Sequence, residues 1–109
     1  MDLKAELKLI LGRHEGRDKA ITGKALAEML GQRDDRAIRE TIRELITDGL
    51  PVASATEPPY GYFLVMTKQE ADNYAAGERS RLIEIALRRR DFRRAAACWL
   101  APAVQRTMF

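Results

Sequence analysis

Between Ile21 and Val65 the chain changes its hydrophobic period, and glycine or proline marks each change. Leu26, Ala27 and Leu30 give one apolar face to a helix from about Gly23 to Leu30, and Gly31 stops it. After Gln32-Arg33-Asp34-Asp35 a second helical pattern starts. Asp34 or Asp35 suits its N-cap, and Ile38, Ile42, Leu45 and Ile46 form its expected buried stripe. Gly49 fits the position just past that helix, and Pro51 forbids continuation. Val52–Ser54 and Tyr62–Val65 then read as two short strands, joined by a loop holding Pro58, Pro59 and Gly61. Two short helices around a glycine turn, closed by a hairpin, leave few folds open.

The flanks extend this pattern. Leu3, Leu7, Ile10 and Leu11 recur at helical spacing, so residues 2–11 form a first amphipathic helix. Ala20-Ile21-Thr22 is too short for a free strand but can lie as a third strand beside the hairpin. Thr67-Lys68-Gln69-Glu70 is a capping box, in which the Thr oxygen accepts one free helix N–H and the Glu carboxylate another. A helical pattern follows from Lys68 to about Leu100, where Pro102 ends it. Gly77 is its weak point, costing about 1 kcal/mol relative to Ala, and marks the expected kink or break.

The order helix, strand, helix, helix, strand, strand is that of a winged helix-turn-helix, an α+β and mostly α-helical fold, here followed by a long C-terminal helix. Ile21-Thr22-Gly23, Leu26-Ala27, Leu30-Gly31, Ile38, Ile42, Leu45, Gly49 and Pro51-Val52 resemble the winged-helix domain at the N-terminus of biotin-operon repressors. The chain also resembles short phage and prophage winged-helix proteins with a strand like Gly61-Tyr62-Phe63-Leu64 and a trailing arginine-rich helix. The first resemblance covers about 45 residues and the second most of the chain. Both imply a small DNA-binding protein, a transcriptional regulator or a phage-derived accessory factor. The expected organisation is a winged-helix domain over 1–66 and a helical, dimerising extension over 67–109.

Candidate DNA-reading residues follow from the second helix. Arg36, Arg39 and Arg43 lie opposite its apolar stripe, and a guanidinium fork matches the O6/N7 edge of guanine. Lys24 and Arg33 join them as DNA-binding residues; Tyr60 in the hairpin loop, with Arg89 and Arg93 on the last helix, are candidate phosphate contacts. Leu82, Ile85, Phe92 and Trp99 recur at three-to-four spacing on that last helix, while Ile83, Leu87 and Leu100 fall largely outside the stripe. One small domain covers one side of a helix, so the stripe predicts a homodimer interface.

Charge pulls the other way. Residues 1–66 hold ten Lys/Arg and eleven Asp/Glu, a net of −1, whereas 67–109 hold nine and five, a net of +4. Phosphate-binding surfaces normally carry a basic excess. The rival expectation is therefore a winged-helix protein-interaction module without DNA contact. Enzymatic readings fail on inventory: one histidine, His14, one cysteine, Cys98, and no phosphate-binding glycine loop. No catalytic residue, metal site, cofactor or small-molecule substrate is expected. A lone cysteine permits no intramolecular disulfide, the N-terminus is charged and no run is apolar enough to span a membrane, so the expected setting is cytoplasmic.

Overall fold

The structure is a computed structural model and describes residues 2–101. They form a mostly helical α+β arrangement: α1 (Leu3–Leu11), a 3-10 turn (Arg17–Lys19), α2 (Gly23–Met29), α3 (Arg36–Thr47), β1 (Val52–Ala55), β2 (Gly61–Leu64) and α4 (Lys68–Trp99). Contacts divide the chain into two compact units, Met1–Tyr74 and Ala75–Phe109. The first unit thus takes in the opening turns of α4.

Each helix of the first unit starts and stops for a local reason. Asp2 caps α1 by accepting the Ala5 N–H at 2.8 Å, and Thr22 caps α2 by accepting the Ala25 N–H at 3.1 Å. Asp35 occupies the N-cap position of α3 without a side-chain capping bond; Asp34 instead accepts the Arg36 N–H at 3.0 Å. Both α2 and α3 end in the paired bonds of a Schellman turn. Gln32 N–H donates to Ala27 O and Gly31 N–H to Glu28 O; Leu50 N–H donates to Leu45 O and Gly49 N–H to Ile46 O.

The core joins these elements. Leu7, Leu11, Leu26 and Ile38 are fully buried, with Ala27, Ile42, Leu45 and Val52 completing the cluster. Burying one such large side chain contributes roughly 1.5–3 kcal/mol. One expected core residue is misplaced: Ile46 is 46% exposed, and Thr41 takes a buried place instead. At about 100° per residue, Ile46 lies roughly a quarter turn past the centre of the Ile38–Ile42–Leu45 stripe. Thr41 tolerates burial because its hydroxyl donates to Ala37 O at 2.7 Å.

The sheet has two strands rather than the expected three. β1 and β2 pair antiparallel, with Val52 opposite Leu64 and Ala55 opposite Gly61. The segment expected to supply a third strand makes only isolated bridges to the other edge of β2. Ile21 exchanges both backbone bonds with Tyr62, at 2.8 and 2.7 Å, and Glu15 bridges Leu64. Between these points Arg17–Lys19 turns as a 3-10 helix, so a continuous ladder cannot form. Gly61 makes the Ile21 approach possible. Its φ is +118°, and a Cβ there would collide with the Ile21 carbonyl and sit 2.5 Å from Thr22 N.

The second unit is the body of α4. This helix runs unbroken from Lys68 to Trp99, so Gly77 neither ends nor divides it. No side chain of α4 is buried. The stop expected at Pro102 lies outside the described residues.

Candidate functional site

Helix α3 presents the clearest chemical surface of the first unit. Its stripe of Ile38, Thr41, Ile42 and Leu45 faces the core. On the helical wheel Arg39, Arg43 and Arg36 share an arc of about 60° on the opposite side, and Glu40 and Glu44 occupy the next arc. All three arginines are exposed. Arg36 pairs with Glu40 at 3.2 Å and Arg39 with Asp35 at 3.4 Å, both one helical turn apart. No ion pair of Arg43 occurs among the described residues. The polar side of α3 is therefore a strip of guanidiniums bordered by a strip of carboxylates.

The N-terminal ends of α2 and α3 meet beside β2. A Cβ on Gly23 would touch the Asp35 side chain at 3.3 Å and the Tyr62 ring at 3.4 Å. Lys24, the next residue, thus stands near the start of α3 and is exposed, as is Arg33 in the intervening turn. Tyr62 is half-buried here. Burial first, then the negative charge of Asp35, pushes its phenol above the usual range, so it stays a neutral donor.

The hairpin loop is fixed by a residue that sequence reasoning missed. The Arg17 guanidinium donates to Pro59 O at 2.8 Å, Glu57 O at 2.6 Å and Pro58 O at 3.5 Å. Its backbone N–H donates to Glu70 Oε2 at 2.7 Å. Glu70 Oε1 accepts the Met66 N–H at 2.8 Å, and Thr67 Oγ1 accepts the Glu70 N–H at 3.1 Å. The Thr67 half of the capping box is therefore made, whereas the Glu70 carboxylate takes the N–H of Met66, one residue before the cap, and also ties α4 to the 3-10 turn. These N–H groups, Met66 first and Arg17 second, hold the Glu70 carboxyl below its usual range. His14 is half-buried, and its Nδ1–H donates to Lys19 O at 2.8 Å. The carbonyl only accepts, so Nδ1 carries the proton.

Tyr60 lies at the end of the loop that Arg17 holds and is 55% exposed. Arg89 and Arg93 are exposed on α4, in the second unit. Leu82, Ile85, Phe92 and Trp99 are there too, each more than half exposed, together with Ile83, Leu87 and Leu100. The structure thus groups Arg36, Arg39 and Arg43 on one face, sets Lys24 near the start of their helix, and places the other candidate residues on separate elements. Among the described residues no cluster of three metal-ligating side chains occurs, and no helix is long and apolar enough to cross a membrane. No protein-family model, curated protein or solved structure matches this chain.

Proposed function

We propose that the first unit is a winged helix-turn-helix and that the protein binds duplex DNA, as a transcriptional regulator or a phage-derived accessory factor. The observation that carries the reading is the arginine strip of α3, exposed opposite a fully buried stripe. The helix follows a glycine turn and precedes a hairpin, and the Ile21–Tyr62 bridge stands where a third strand would pair. On this reading Arg36, Arg39 and Arg43 enter the major groove, while Lys24 and Arg33 meet phosphates beside it. Tyr60 and Arg93 are further phosphate contacts.

The ion pairs on α3 do not oppose this role. An exposed pair one turn apart contributes only about 0.3–0.5 kcal/mol. Arg36 and Arg39 can therefore exchange Glu40 and Asp35 for a base edge or a phosphate at small cost.

A second reading has its own support. The net −1 of residues 1–66, with Asp34 and Asp35 at the start of α3, suits a protein-interaction module that makes no DNA contact. Fluorescence anisotropy on random-sequence duplex DNA at several salt concentrations separates the two. The DNA reading predicts binding at low salt, with log affinity falling linearly in log salt and a slope of roughly −3 for three or four phosphate contacts. A flat titration by a protein folded by circular dichroism overturns that reading and favours the interaction module.

A further inference from the structure

The exposed body of α4 carries a second pattern, independent of DNA binding. Ala75, Glu78, Leu82, Ile85, Arg89 and Phe92 alternate steps of three and four residues, which is a heptad seam. At about 100° per residue these six fall within an arc of about 100°. Leu82, Ile85 and Phe92 are 67%, 56% and 72% exposed, so the seam is open. Two charges of opposite sign interrupt it, Glu78 and Arg89. Glu78 meets Arg81 on its own helix yet leaves 51% of its side chain exposed.

The interruptions decide which occupant fits. In a parallel pair of these helices, Glu78 would face the partner's Glu78 and Arg89 the partner's Arg89. Like charges directly opposed in a seam work against association. In an antiparallel pair, a register that sets Leu82 opposite the partner's Ile85 sets Glu78 opposite the partner's Arg89. The same register places Ala75 opposite the partner's Phe92, the smallest seam residue against the largest. All six positions find a complementary partner at once, with one Glu–Arg pair on each side of the two-fold axis.

We propose that this face of α4 binds a second copy of the chain as an antiparallel helix pair in that register. Apolar contact supplies the affinity, and the Glu78–Arg89 pairs select orientation and register, the best-attested use of polar groups in such seams. Glu78 and Arg89 fall near the centre of that arc, so a mismatched register brings two like charges together inside the seam.

Sedimentation equilibrium on the full chain tests this, with Glu78→Arg, Arg89→Glu and the double variant. Circular dichroism checks that each remains helical. The expected result is a wild-type dimer, single variants that dimerise at least about tenfold more weakly, and a double variant restored to near wild-type affinity. An equimolar mixture of the two single variants should form a heterodimer, because each then opposes unlike charges. That arm stays informative even when one single variant loses helix alone. A wild-type monomer at high micromolar concentration overturns the proposal, as do single variants that associate like wild type or a double variant that stays weak. A monomer that still binds DNA with a salt-dependent affinity overturns this proposal and leaves the DNA reading standing.

Discussion

Replacing Gly61 by alanine should strongly destabilise the first unit, and the structure says why. The residue sits at φ +118°, where a side chain costs about 1–3 kcal/mol. The added Cβ would enter the backbone of Ile21 and lie 2.5 Å from Thr22 N. Backbone has no rotamer with which to yield, so either the overlap is absorbed as strain or the two segments separate. Overpacking costs about 1–3 kcal/mol. Separation instead breaks the two Ile21–Tyr62 backbone bonds, each worth about 0.5–1.5 kcal/mol. Either route adds a similar amount, giving about 2–6 kcal/mol in total. A small domain has only about 5–15 kcal/mol to lose.

Two other glycines separate the causes. Gly49 also has positive φ, at +106°, but a Cβ there meets nothing within 4 Å, so Gly49→Ala should cost only the conformational part, about 1–2 kcal/mol. Gly77 lies inside α4 in open space, and Gly77→Ala should stabilise that helix by about 0.5–1 kcal/mol. Thermal melting followed at 222 nm reads all three. At about 4–8 °C per kcal/mol, Gly61→Ala should lower Tm by about 8 °C or more. Equal losses for Gly61→Ala and Gly49→Ala would refute the claim that close approach to Ile21 is what requires the glycine.

Arg39→Ala should weaken DNA binding by about 1–3 kcal/mol, roughly five- to 150-fold by anisotropy, while Tm moves by no more than about 0.5 kcal/mol implies; a large fall in Tm would show that its pair with Asp35 is structural. Arg17→Ala should cost about 1–2 kcal/mol and speed proteolysis in the 55–60 loop, since that guanidinium holds three loop carbonyls; unchanged cleavage would mean that the prolines alone fix the loop. Glu70 titrates below its usual range in the fold, so its contribution is complete above the ordinary carboxylate range and is lost as pH falls through the depressed value. Glu70→Gln should therefore lower Tm at pH 7 and flatten its decline as pH falls below the ordinary carboxylate range, and an unchanged acid limb would exclude Glu70 as a contributor.

What the sequence made legible was mostly local. Gly31 and Gly49 end α2 and α3 as their residue type dictates, because caps act within one turn of the chain, whereas Thr22 caps α2 although it stood in the segment expected as a strand. Leu7, Leu11, Leu26, Ile38 and Leu45 are buried where helical periodicity placed them. The third strand was misjudged because Ile21 pairs through a single residue, and no propensity reports how far a ladder continues. Arg17 was missed for a different reason. Its acceptors lie 40–42 residues away, and its backbone partner Glu70 lies 53 away. A guanidinium in a charged loop looks the same whether it meets water or three carbonyls. For the arginine strip, composition and period gave the residues, and the four-residue spacing gives the Arg36–Glu40 pair, but the choice of Asp35 as the partner of Arg39 needed coordinates.

The two units carry different kinds of surface, and the charge division follows them. The first unit surrounds its own core, and its residues 1–66 carry a net charge of −1, so it has no basic excess to attract a polyanion at long range. The second buries no α4 side chain, and an isolated helix of this length draws only marginal stability from propensity and from local pairs such as Glu78–Arg81. An antiparallel partner would supply the missing burial, at roughly 1.5–3 kcal/mol for each covered large side chain. The proposed seam uses Arg89 and leaves Arg88, Arg90, Arg93 and Arg94 outside it. Pairing would thus stabilise α4 and double the number of exposed arginines in one particle. On the proposed function, those arginines provide sequence-independent attraction to phosphate, while Arg36, Arg39 and Arg43 read base edges. Positioning and specificity would then be divided between α4 and α3, as phosphate and base contacts are divided in general.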